Sequence, residues 1–278
     1  MPLPSGLRFS LDVVDFLPVI DDSRNEYRQG PIRIRAGEPL GWVNVSWPGH
    51  AVARIEEYRP GARVLLTRES RNDFEKFARG FLLIVLIFLW KRDRRFHVHA
   101  GTARDPAGRG WMLAGNSGTG KSTTIALLAR RGWEVGADDI SFLVDCGERV
   151  GVMGFRERIA LRPGGADQLG LPDAPAPERR GKSALWPEEL GGRWVATVEP
   201  DVVVFTGGLG SRTVLSRAEP RDILAGLIQS SAWVMFEKTG ATEHLELLAR
   251  LGRQARFYHA TLGPDLFQHP EALAGFLP

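Results

Sequence analysis

The residues from Gly115 to Ser122, "GNSGTGKS", fit the pattern G-x-x-x-x-G-K-[ST], and two adjacent carboxylates, Asp138 and Asp139, follow seventeen and eighteen residues after Lys121. Gly115, Gly118 and Gly120 permit a tight turn with no side chain between backbone and ligand. The backbone N–H groups of Asn116, Ser117, Gly118, Thr119 and Gly120 can then surround a phosphate. The helix starting at Lys121 adds positive potential at its N-terminus. Lys121 can reach the β- and γ-phosphates of a nucleotide, the Ser122 hydroxyl suits Mg²⁺, and Thr123 follows in the same turn. Such a loop needs a strand before it and a helix after it, and "GWMLAG" and "TTIALLARR" meet both conditions. The plain alternative is a glycine-rich turn with a chance Lys-Ser.

The acid pair is the less usual feature. In a common phosphate-loop ATPase the Mg²⁺-assisting acid ends a later, strongly apolar strand. The best such strand here, "DVVVFTGG" (Asp201 to Gly208), ends in Thr206 and two glycines, with no acid. Asp138 and Asp139 lie at the far end of the strand after the loop helix. If that strand neighbours the one before the loop, its end approaches the γ-phosphate. One carboxylate would then hold Mg²⁺ and the other take a proton from an attacking hydroxyl. The alternative is a turn pair facing water. His97 and His99 share one strand face. Without a cysteine or carboxylate at ligand spacing they do not read as a zinc pair, and a histidine pairing across the sheet is the ordinary reading of His99.

These features stand in a chain of 278 residues, 43% hydrophobic and 25% charged, with net charge +3. That is globular composition and length enough for one large domain or two small ones. A pI of 9.3 with scattered arginine is weak evidence for a polyanion partner. Eight tryptophans form no basic–aromatic stripe, so nucleic acid is not expected. The single cysteine, Cys146, excludes an internal disulfide and agrees with the cytoplasm. No signal peptide is visible at the start. "GFLLIVLIFLW" (Gly80 to Trp90) is shorter than the roughly 20 apolar residues of a transmembrane segment and reads as a buried helix.

Residues 1–95 read as a β-rich N-terminal portion ending in that apolar helix, with strands in "LRFSLDVVDF", "PIRIRA", "GWVNVSW" and "RVLLTR" and Ser70 as a helix N-cap. Residues 96–278 read as an α/β domain. It holds the strand "FHVHAGTAR", the loop and its helix, "WEVGADDISFLV", a hairpin through "DCGERVGVMG", a Pro/Gly-rich excursion from Arg162 to Gly192, two late helices, the strand "ARFYHATLG" and a closing helix "PEALAGFL". Arg156 and Arg158 alternate on a strand face. Arg179, Arg180 and Lys182 lie in the excursion, which suits a loop closing over phosphates. Arg212 and Arg217 are further candidates for a charge-stabilising arginine.

The set "VHAG" (His99), "GNSGTGKS", "ARRG" and "ADD" resembles the HPr serine kinase/phosphatase family over residues 97–145. The resemblance implies an α/β fold with the variant P-loop core shared with phosphoenolpyruvate carboxykinase. It implies ATP and Mg²⁺ as cofactors, and transfer of the γ-phosphoryl group to a serine of a peptide, a protein or free serine. It assigns phosphate contact to Lys121, the Mg²⁺ ligand to Ser122, the proton acceptor to Asp139 and an active-site place to His99. Asp138 then supports Mg²⁺. Homo-oligomers are common in the family. The chain departs from the bifunctional members at their Gly-Arg-Asn signature with its Mg²⁺-binding Glu, for which "GGRWVATVEP" and Glu199 are only an echo. The competing readings are an ATP-binding sensor and an ATPase with no hydroxyl acceptor.

Overall fold

The computed structural model describes residues 7–18, 26–37, 42–56, 61–162, 165–171, 183–230 and 238–268. It is a mixed α/β chain with several sheets, and it divides into two compact units. One comprises Met1–Phe96 with Ala232–His244, the other His97–Ser231 with Leu245–Pro278.

The first unit is a six-stranded sheet: β1 (Arg8–Val14), β2 (Glu26–Gln29), β3 (Ile32–Gly37), β4 (Trp42–Trp47), β5 (Ala51–Glu56) and β6 (Gly61–Thr67), in the order β1-β6-β5-β4-β3-β2. Only the β1–β6 pair is parallel. Alternation sends Ile34, Val43, Val45, Ala53, Ile55, Val64 and Leu66 to one buried face. The sequence reading found four of these strands. β2 is four mostly polar residues, and the small alanines of β5 blunt its alternation.

A helical run from Arg68 to Lys91 follows, broken at Asp73 and widened to a π-helix over Ala78–Leu82. Its N-cap is Thr67, whose hydroxyl accepts from the Ser70 N–H, so the cap lies three residues before the expected Ser70. The apolar stretch buries Phe81, Ile84, Val85, Ile87, Phe88, Leu89 and Trp90. Among the described residues no helix is long and apolar enough to cross a membrane.

The second unit is built on a ten-stranded sheet. Its strands are β7 (Phe96–Arg104), β8 (Gly110–Gly115), β9 (Glu134–Ala137), β10 (Ile140–Cys146), β11 (Arg149–Gly154), and, after the separate ribbon β12 (Ile159–Leu161) with β13 (Ser183–Leu185), β14 (Arg193–Trp194), β15 (Thr197–Val198), β16 (Pro200–Leu209), β17 (Val214–Arg217) and β18 (Arg256–Leu262). The centre runs β9-β7-β8-β16-β18. β8, β16 and β18 are parallel, and β7 is antiparallel to both β8 and β9. β8 is buried along its whole length, as a strand covered on both faces must be.

The helix Lys121–Arg130 packs Ile125, Leu127 and Leu128 into a core with Leu113, Val202, Val204 and Ala260. Gly101 lets it come close: a Cβ there would stand 2.8 Å from Ile125 Cγ1.

Candidate active site

The loop Gly115–Ser122 leaves the C-terminal end of β8 and enters the helix at Lys121. Two of its glycines are required by geometry. Gly115 has φ +136°, and a Cβ on it would lie 2.4 Å from Thr206 Oγ1 and 2.5 Å from Thr206 O. Gly120 has φ +95°, a left-handed N-cap that aims the following N–H groups into the loop. Lys121 is buried, and its Nζ donates to Gly115 O at 2.7 Å and Asn116 O at 3.0 Å. The ammonium therefore spans the mouth of the turn. Thr119 Oγ1 donates to Asn116 O at 2.8 Å and lies 2.6 Å from Thr206 Oγ1. Thr206 in turn donates to Ala114 O at 2.9 Å. The threonine that ends the apolar strand in place of an acid thus braces the loop. The cradle fits a polyphosphate: glycine backbone, a helix N-terminus and one buried cation. Ser122 and Thr123 are half-buried in the first turn of the helix.

The acid pair sits in the break between β9 and β10. The strand it ends is not a neighbour of β8, the condition set in the sequence for its end to approach the loop, because β7 lies between them. With β7 antiparallel to both, β8 and β9 run the same way, and their C-terminal ends share one edge of the sheet with the start of β7. His99 is at that start and the loop is at that edge. Its Nδ1 lies 3.0 Å from Asp139 Oδ1.

The two carboxylates differ sharply. Asp138 is 4% exposed and its Oδ2 accepts the Ala160 N–H at 3.1 Å, tying β12 to this edge. Asp139 has a half-exposed side chain. Burial pushes the His99 imidazole below its ordinary pKa. Asp139 pulls it up, and the Lys121 charge pushes it down again. The net direction is down, so the ring is neutral near pH 7. A neutral ring that donates from Nδ1 to the carboxylate leaves Nε2 as an acceptor.

A further cation reaches the loop from a place the sequence reading did not weigh. Arg162 follows β12, and its Nη2 donates to Ser117 Oγ at 3.4 Å. A Cβ on Gly118 would stand 3.2 Å from its Nη1. The chain of positions runs from Asp138 through Ala160 to Arg162. Arg156 and Arg158 instead lie over the Trp186 ring, at 5.5 and 5.4 Å from its centroid, and Arg156 pairs with Glu188 at 3.1 Å.

The remaining candidates have other neighbours or lie outside the described residues. Glu199 pairs with Arg149 at 2.9 Å, just before β16, whose other end meets the loop at Thr206. Seven residues of strand, about 20 Å, separate it from the loop, so it is no Mg²⁺ ligand there. Arg212 adjoins Asp265 and Gly263, the residue after the Leu262 that lies against Gly120, and Arg217, on β17, stands opposite Tyr258 of β18. His97 packs edge-on against Phe142 at 5.8 Å. Arg179, Arg180, Lys182 and His269 lie outside the described residues.

No family model and no curated protein matches this chain. A solved structure of the Hpr(Ser) kinase/phosphatase from Coxiella burnetii resembles it at 13% identity and a TM-score of 0.37, over 64% of this chain and 93% of that one.

Proposed function

We propose that the protein is an ATP-dependent phosphotransferase that moves the γ-phosphoryl group of ATP to a hydroxyl, a serine of a peptide, a protein or the free amino acid. The observation that carries this reading is the His99–Asp139 pair, 3.0 Å apart, at the sheet edge from which the phosphate loop springs. A binding module needs the loop alone. A half-exposed carboxylate held by a neutral imidazole beside the loop is what an acceptor hydroxyl needs.

In this reading the β- and γ-phosphates lie over the N–H groups of 116–120 and against Lys121. Arg162 adds charge from the Ser117 side. Strand order gives the nucleotide a direction. The β7/β9 flank carries the base, so the γ-phosphate points there. On the β16/β18 flank Leu262 backs Gly120 from the core, and the exposed Leu209 beside it offers the nucleoside an apolar surface.

The acceptor hydroxyl gives its proton to Asp139 as its oxygen bonds the γ-phosphorus. The bond from that phosphorus to the bridging oxygen breaks, and ADP leaves. His99 holds the carboxylate in place through Nδ1–H. Mg²⁺, when bound, neutralises charge between the phosphates, and Ser122 with Asp138 are the residues that would hold it. The transition state is loose, so positioning and neutralisation supply most of the acceleration.

The test incubates the protein with Mg²⁺, γ-labelled ATP and serine, serine peptides or a protein extract. Label on a hydroxyl supports the proposal. Label found only as free phosphate identifies an ATPase, and binding without turnover identifies a sensor.

A further inference from the structure

β1 is an edge strand that the rest of its sheet does not protect. It pairs with β6 through seven unbroken positions, from Arg8 opposite Gly61 to Val14 opposite Thr67. Among the described residues its outer edge has no strand partner. Edges of natural sheets are commonly blunted by charge, lysine above all, by proline or by a bulge; "RFSLDVV" has no lysine, proline or bulge, and its two charges, Arg8 and Asp12, are of opposite sign. Its apolar side is left open as well. Phe9, Leu11 and Val13 stand opposite Ala62, Val64 and Leu66, so they lie on the face that elsewhere forms the buried core. Yet Leu11 is 36% and Val13 41% exposed, and Phe16, two residues past the strand, is 90% exposed.

We infer that β1 pairs antiparallel with β1 of a second copy of this chain, across a two-fold axis at Ser10. The strand is complementary to itself in this register. Ser10 meets Ser10, and on the polar face Arg8 meets Asp12 of the second copy, twice by symmetry. On the apolar face Phe9 meets Leu11 of the second copy, and Val13 meets Leu7. Opposite charges and apolar residues directly across an antiparallel pair stabilise it. A shift of one residue would set apolar against polar side chains, so register is specified. Asp12 already accepts from Arg63 at 3.4 Å, but the two side chains are 49% and 72% exposed, and such a pair is weak enough to be shared. The two sheets become one of twelve strands, with both β1 edges covered. The interface is isologous and closed, so it makes a dimer and not a fibre.

The test uses the full chain. Ser10→Cys is made with Cys146→Ser, since Cys146 is exposed. Opposite residues of an antiparallel pair lie about 4.5–5.5 Å apart at Cα, within disulfide reach. Mild oxidation should crosslink Ser10→Cys into a dimer. Asp12→Cys, about 13 Å from its own copy in this register, should not crosslink.

Sedimentation of the unmodified chain should show a concentration-dependent dimer. Arg8→Asp should weaken it at least tenfold, and Arg8→Asp with Asp12→Arg should restore it, with both variants folded by circular dichroism. A monomer at concentrations on the order of 100 µM, where even a small interface fills, overturns the inference. So does equal crosslinking of the two cysteine variants, or a dimer indifferent to the charge swap.

Discussion

His99 and Asp139 are forty residues apart in sequence and 3.0 Å apart in space, between the imidazole Nδ1 and one carboxylate oxygen. Strand β7 makes the contact by running antiparallel between β8 and β9. The same arrangement sets the ring within the field of Lys121.

That field and burial hold the His99 pKa below its ordinary value of 6.5. The ring is therefore mostly neutral at pH 6.5 and takes its proton at lower pH than an ordinary imidazole. If the neutral form supports transfer, the fall of kcat with pH is centred below 6.5. His99→Asn, which keeps a donor near Nδ1, should retain part of the rate and lose the part of the acid limb that the imidazole contributes. A decline centred at or above 6.5 in the unaltered protein would contradict the assignment.

Arg162 should matter through charge and shape together. Removing one group that stabilises developing charge costs on the order of 10²–10³ in kcat, and Arg162→Ala is expected to fall in that range with ATP affinity little changed. Arg162→Lys should recover only a fraction, because an ammonium lacks the planar fork. Single-turnover kinetics with labelled ATP separates the two effects.

Gly115 has no room for change. A Cβ there would overlap Thr206 and hold a left-handed φ. Gly115→Ala is expected to cost about 3 kcal/mol, from overpacking and backbone strain together. Urea unfolding measures it, and a variant of unchanged midpoint would show that the loop lies differently against β16.

His244 makes stability depend on pH in the first unit. It is 1% exposed, stacks on Phe96 at 5.0 Å, and neither ring nitrogen has a hydrogen-bond partner among the described residues. Burial, with the Lys91 charge second, pushes its pKa down to about 4 from 6.5. The unfolded chain then binds the proton more readily, so stability is lost as pH falls from about 6.5 to about 4. The loss is about 3 kcal/mol at roughly 1.4 per unit. His244→Phe should remove that part of the dependence. Chemical unfolding at pH 7 and pH 5 checks it, and equal slopes in both proteins would locate the effect elsewhere.

The strand, the glycine-rich turn Gly115–Ser122 and the helix after it were legible because their signals are local: three glycines, a lysine, and apolar runs on either side. The position of the acid pair at a strand end was legible for the same reason. The insertion of β7 was not, since strand order is set by long-range pairing. Arg162 was hidden by distance: forty-five residues separate it from Ser117, and "IALRP" carries no mark of a phosphate neighbour. Thr206 was visible as the missing acid, but its bracing of Thr119 depends on β16 lying beside β8.

The central claim is that Asp139 takes the acceptor's proton. Asp139→Asn keeps the size and the contact with His99 and removes the base. Transfer of γ-label to a serine hydroxyl should fall by about 10²–10⁴, the usual contribution of a positioned base, while ATP binding by calorimetry stays within a factor of two or so of the unaltered protein. Transfer that survives the substitution at near its original rate would contradict the account.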